Sequence, residues 1–259
     1  MEKKIIDVSK HNGDIDWAKV KADGIDGVII RAGYGRLIKQ KDPCFEKNYK
    51  GAVAAGLLVG AYWYSYATSA AAGTAEAETF LEALGDKSFN LPVYLDIEDK
   101  CQVKLSREVC TDIVTAFGDI MEKAGYFFGV YSFDSFFATN LDESVQEKYT
   151  VWVARVENSK PTSVKKYDMW QYSWKGTVDG VYGNVDMDIA YKDFKSIICE
   201  SGLNNCKKAE ESPTTQAPEV TAKVMFTITA YRHNVPEEDV DKLIKALTAM
   251  GLSAEKKEN

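Results

Sequence analysis

From residue 4 to residue 132, short β-branched or apolar runs alternate with helical patterns, and this rhythm constrains the fold more than any other feature of the chain. Strands are predicted at Lys4–Val8, Gly27–Ala32, Leu58–Tyr66, Leu91–Ile97 and Phe127–Ser132. Between them, Trp17–Ala22, Phe45–Ala55, Thr74–Leu84 and Arg107–Ala124 carry helical spacing. Beyond residue 132 the rhythm changes: Val151–Ala154, Met169–Tyr172 and Val185–Ile189 read as strands with little helix between them. Repeated βα units imply parallel pairing through right-handed crossovers, in a closed barrel or an open doubly wound sheet. Polar residues recur at strand C-terminal ends, where barrel enzymes place their sites, and no GxGxxG follows the first strand. The expected fold is therefore α/β, a TIM-like barrel spanning residues 1–206.

A polar strip, residues 207–219, is charged, holds Pro213 and Pro218, and reads as a linker. Residues 220–259 form a separate small β-α module by pattern. Val224, Phe226, Ile228 and Ala230 share one strand face; Pro236 opens a helix whose stripe is Val240, Leu243, Ile244, Leu247 and Met250. One strand and one helix cannot close a core, so self-association or docking through 220–259 is expected. No apolar run approaches the roughly 20 residues of a spanning helix, and the N-terminus lacks a signal h-region. Thirty-two basic against 39 acidic residues give a charge of −7, which excludes broad capture of nucleic acid and disfavours anionic membranes. The five cysteines are scattered and odd in number; only Cys199 and Cys206 lie close both to each other and to a domain edge, where a bridge is the alternative to the expected unpaired thiols.

The sharpest chemical feature is Leu95-Asp96-Ile97-Glu98-Asp99. Strand alternation puts Asp96 and Glu98 on one face, where mutual repulsion drives one pKa upward, as a general acid requires. Solvated acids at an exposed strand end are the equally weighted alternative. Asp7 closes the first strand, and Asp186 and Asp188 stand at i and i+2 on the last, a neighbour of the first in a closed sheet. An acidic cleft edged by Tyr62, Trp63, Tyr64, Tyr131, Trp152, Trp170 and Tyr172 suits sugar chemistry, although core packing is the commoner fate of any one aromatic. The two histidines, His11 and His233, fall in different regions, and neither HExxH nor GxSxG occurs. Magnesium in the acidic cleft is the one rival chemistry.

Ile6-Asp7-Val8-Ser9 with Gly13 and Ile15-Asp16-Trp17 resembles the N-terminal signature of glycoside hydrolase family 25, the Chalaropsis-type lysozymes. Val28–Gly33, Gly60–Tyr64, Asp96-Ile97-Glu98, Val151–Ala154, Met169–Tyr172 and Val185-Asp186 follow in the family's order, covering residues 4–198. The resemblance implies a flattened barrel with three plain late strands and an N-acetylmuramidase acting on bacterial peptidoglycan without cofactor or metal. It implies Glu98 as acid/base, with Asp7, Asp96 and Asp186 completing the acidic cleft. Arg31, Tyr62, Tyr64, Tyr131, Trp152, Trp170, Gln171 and Asp188 are the expected substrate-binding residues. Two positions depart from the pattern: Trp63 stands where many members carry histidine, and Asp188 where asparagine is usual. A non-catalytic wall-binding barrel and a chitinase-like glycosidase are the alternatives. A site of action at the cell wall is expected, as for a phage endolysin or a bacterial autolysin.

The tail's apolar faces lead to a first test. Light scattering over a concentration series is expected to show the full chain associating and a chain ending at residue 218 staying monomeric; equal monomer masses would remove self-association.

Overall fold

The computed structural model describes residues 2–156 and 159–206; the expectations for residues 207–259 lie outside them. Eight strands close a barrel in sequence order: β1 (Lys3–Val8), β2 (Gly27–Tyr34), β3 (Leu58–Tyr64), β4 (Val93–Asp96), β5 (Phe128–Phe133), β6 (Thr150–Ala154), β7 (Met169–Gly176) and β8 (Val185–Ala190). Helices α1 (Trp17–Ala22), α2 (Phe45–Ala54), α3 (Ala70–Leu84) and α4 (Arg107–Lys123) fill the first four crossovers, as their patterns predict. The fifth crossover holds two short helices, α5 (Asp134–Asn140) and α6 (Glu143–Lys148), no helix separates β6, β7 and β8 among the described residues, and α7 (Phe194–Glu200) follows β8. Ser69 and Ser106 cap α3 and α4 by accepting from the backbone N–H of Ala72 and Val109. Those two helices pack closely because Gly73 lacks a Cβ, which would sit 2.9 Å from the Ile113 carbonyl. Among the described residues, no helix is long and apolar enough to cross a membrane.

Strands β1 to β7 pair in parallel, but β8 runs antiparallel to both β7 and β1. The connection from β7 to β8 is too short for a crossover, so the last strand has to reverse. Alternation then sorts the side chains. Ile6, Val8, Val28, Ile30, Val93, Leu95, Val151 and Val153 belong to the large core that also takes in Trp17, Phe45, Phe80, Val114 and Phe117 from the helices. Ile5, Ile29, Tyr94, Trp152 and Met169 form a second cluster, which packs the barrel interior.

The N-terminal face of the barrel is clasped by the segment after α7. Positive φ at Gly202, Asn204 and Asn205 curls the chain back, and Cys199 is disulfide-bonded to Cys206 with Cα atoms 4.9 Å apart. This corrects the expectation of unpaired thiols there: the turn, which sequence spacing does not reveal, brings the two together. Asn204, fully buried, accepts from the Phe127 N–H (2.6 Å) and donates to the Leu91 carbonyl (3.0 Å), joining the entries to β5 and β4. Replacing Asn204 by Ala strands the half-buried Phe127 N–H and the buried Leu91 carbonyl. We expect a loss of about 2–3 kcal/mol and a Tm lower by roughly 4–12 °C in thermal unfolding.

Candidate active site

The C-terminal ends of β1 to β7 and the N-terminal end of β8 surround one cleft of about 360 Å³. The reversal of β8 matters here: it pairs Asp186 directly with Asp7 across the β1–β8 ladder. On the far side, β4 ends at Asp96, but the Ile97 N–H still bonds the Tyr131 carbonyl (3.1 Å). The extended chain therefore continues far enough to turn Glu98 to the same side as Asp96. Asp7, Asp96, Glu98 and Asp186 all line the cleft, together with Arg31, Tyr62, Tyr64, Tyr131, Trp152 and Gln171.

Asp188, Trp170 and Trp63 stand elsewhere. Asp188 is fully buried one step deeper in β8, where it accepts from Trp152 Nε1 at 2.8 Å. It lies below the cleft because the antiparallel register sets it beside Ile5 and Gln171. Trp170 lies on the opposite face of β7 from Gln171, its Nε1 donating to the Arg155 carbonyl (2.9 Å) and its ring against Tyr172. Trp63 likewise faces outward, sealed against Phe80 with Nε1 on the Gly35 carbonyl (2.8 Å). His11, Ser9 and Asn12, on the turn after β1, line the cleft as loop residues.

The carboxylates are buried among one another, and this sets their protonation. Burial, helped by Asp186 and Asp99, pushes Glu98 up to about 7. Burial raises Asp186 to about 6. Asp96 is held well above the usual carboxylate range by burial and then by Glu98 and Asp7, with the Arg31 charge opposing. Asp42, which sequence reasoning missed, fixes that charge: it is buried and accepts from Arg31 Nε at 2.8 Å. It sits on the loop after β2, where no spacing rule singles it out. Asp7 is raised by burial and by Asp186, but is partly relieved by hydrogen bonds from Gln171 Nε2 (2.7 Å) and from Asp188. Asp188 is held well above the usual carboxylate range by burial and then by the neighbouring Asp7, so the two carboxyls titrate together rather than independently. Gln171 Oε1 in turn accepts from Tyr131 Oη (2.8 Å). Asp96 Oδ1 and Glu98 Oε2 are buried without a hydrogen-bond partner, two polar atoms facing a ligand-sized hollow. Among the described residues, no group of three or more His, Cys, Asp or Glu is arranged to hold a metal ion.

Over residues 6–181 the chain matches the family model described as glycosyl hydrolases family 25. It is 31% identical over 187 residues to the autolytic lysozyme of Clostridium acetobutylicum, covering 71% of this chain and 55% of that protein. The chain thus spans about half the length of that relative. Among solved structures it is similar to the CTP1L endolysin, with a TM-score of 0.68, 30% identity, and coverage of 76% of this chain and 70% of that one. It is also similar to the modular autolysin LytC of Streptococcus pneumoniae, solved in complex with a synthetic peptidoglycan ligand; the TM-score is 0.66, the identity 30%, and coverage 73% of this chain and 47% of that one.

A raised carboxyl is a stability statement. Glu98 titrates near 7 in the folded chain and at the ordinary, lower glutamate value when unfolded. Its contribution is present below the unfolded value and is lost as pH rises through 7. The variant Glu98→Gln keeps the shape without the charge. Denaturant unfolding should find it as stable as the parent near pH 4 and more stable at pH 8, by up to about 3 kcal/mol.

Proposed function

The chain belongs to glycosyl hydrolase family 25, and from that premise we propose that it is a muramidase, hydrolysing the β-1,4 bond between N-acetylmuramic acid and N-acetylglucosamine in bacterial peptidoglycan. The observation that carries this reading is the convergence of Asp7, Asp96, Glu98 and Asp186 on one hollow in which Glu98 titrates near 7. A group with that pKa holds a proton to give at neutral pH and can take one back once it has given it. The names of the relatives, an autolytic lysozyme and an endolysin, and the peptidoglycan ligand bound by LytC, support the substrate class and a site of action at the cell wall.

Glu98 protonates the leaving glycosidic oxygen. Asp96, two residues back on the same face, meets the N–H of the substrate's acetamido group through its unpartnered Oδ1. The acetamido carbonyl oxygen then attacks the anomeric carbon and closes a ring intermediate, the substrate-assisted route known among glycosidases. Positive charge developing on the acetamido nitrogen favours the Asp96 anion, in the same direction as Arg31 beside it. Glu98, now ionised, takes a proton from the water that opens the intermediate. Asp186, raised only to about 6 and so mostly ionised at neutral pH, keeps the hollow negative, which stabilises a cationic sugar at the anomeric centre.

The test uses purified cell walls. The parent chain should clear them and leave N-acetylmuramic acid at the new reducing ends. Its rate should fall as pH rises past about 7, where Glu98 loses its proton. Glu98→Gln should fold and lose at least about a hundredfold in rate. Retained lysis would overturn the role of Glu98; new reducing ends on N-acetylglucosamine would overturn the bond; loss of activity with chelator would favour the magnesium reading.

A further inference from the structure

Strict alternation from Gln171, whose side chain enters the cleft, would turn Trp174 to the outside of β7. The structure does otherwise. The β7–β8 ladder slips between Gln171 and Ser173 and again between Ser173 and Gly176, so the strand bulges twice where it reaches the mouth. Bulges re-aim side chains and are common beside active sites. Here they bring the Trp174 indole back over the rim, with Nε1 donating to Gln171 Oε1 at 2.8 Å. Gln171 itself donates to Asp7, so two hydrogen bonds link the indole to the carboxylate cluster. Phe133, at the end of β5, meets the indole edge-to-face at 6.1 Å and braces it. Even so, Trp174 is 44% exposed, the one described tryptophan with so much surface in solvent. An indole pinned at its polar edge, braced by a second ring and left open is a costly arrangement unless something stacks on it.

We infer that Trp174 and Phe133 form a sugar-stacking subsite at the edge of the cleft, occupied by an N-acetylhexosamine of the glycan strand outside the hollow where the bond is cut. This rests on the muramidase reading. A cleft of about 360 Å³ is at the small end of ligand sites, so a polymer has to cross its rim. Trp174 lies on the β7 side, where its hydrogen-bond chain makes the rim continuous with the floor. Across the ring on β3, Tyr64 contacts the half-exposed Tyr66 at 5.2 Å, so a second aromatic edge faces the first across the carboxylates. A strand lying from one edge to the other passes over Glu98 and Asp186.

The experiment uses the full chain carrying Glu98→Gln, titrated with peptide-free N-acetylmuramic acid–N-acetylglucosamine strands. Iodide quenching of tryptophan fluorescence reads Trp174 directly, and bound strands should protect it. Adding Trp174→Ala should weaken strand binding about tenfold, while Trp174→Phe, which keeps a stacking face and drops the N–H, should stay within about threefold. Strands that bind without protecting the indole, or with the same affinity after Trp174→Ala, would overturn the subsite alone. Equal losses in the Ala and Phe variants would also overturn it, by assigning the effect to the bond with Gln171. A Glu98→Gln chain that binds no strands at all would remove the muramidase reading and the subsite together.

Discussion

The reversed eighth strand is the constraint on which the rest depends. A parallel β8 would present its C-terminal end at the mouth and carry Asp186 to the opposite face of the barrel. Running antiparallel, it sets Asp186 against Asp7 and closes an acidic ring with Asp96 at the end of β4 and Glu98 just beyond it. Carboxyls gathered this way cannot all ionise in a low-dielectric pocket, so they hold protons near neutral pH. The raised values at Glu98 and Asp186 are consequences of strand direction as much as of residue type.

Such crowding is unfavourable to folding, and the barrel offsets it where the chemistry is absent. The outward faces of the strands and the inner faces of the helices make one extended apolar core. The opposite end is tied by Asn204 and by the bridge from Cys199 to Cys206. Within the cleft, the hydrogen bonds are arranged to hold charge in place. Asp42 fixes Arg31, and Asp188 receives the Trp152 indole N–H.

The barrel is legible in the sequence because the βα rhythm and the parity of each strand are written in side-chain type. The same parity rule that places Asp96 and Glu98 together also turns Trp63 and Trp170 outward, since they neighbour inward-facing Tyr62, Tyr64 and Gln171. Aromatic character alone had suggested otherwise. What escapes the sequence is whatever breaks parity or lies off the strands. The bulges of β7 re-aim Trp174, the loop after β2 delivers Asp42, and two asparagines with positive φ bring Cys199 to Cys206. Asp188 is a subtler case: its chemical type suggests another cleft acid, whereas its depth sets it below the cleft, accepting from the Trp152 indole N–H.

Gln171 has one further consequence. Its amide is oriented by three neighbours at once, giving its N–H to Asp7 and taking hydrogens from Tyr131 and Trp174. Hydrogen-bond polarity therefore runs one way across the mouth, from phenol and indole on the β5–β7 wall to carboxylate on the β1–β8 wall. On the aromatic wall these two hydrogens are already committed; on the acidic wall, oxygens remain to accept. The hollow is handed, and a polyhydroxylated chain entering head first meets a different surface from the same chain entering tail first.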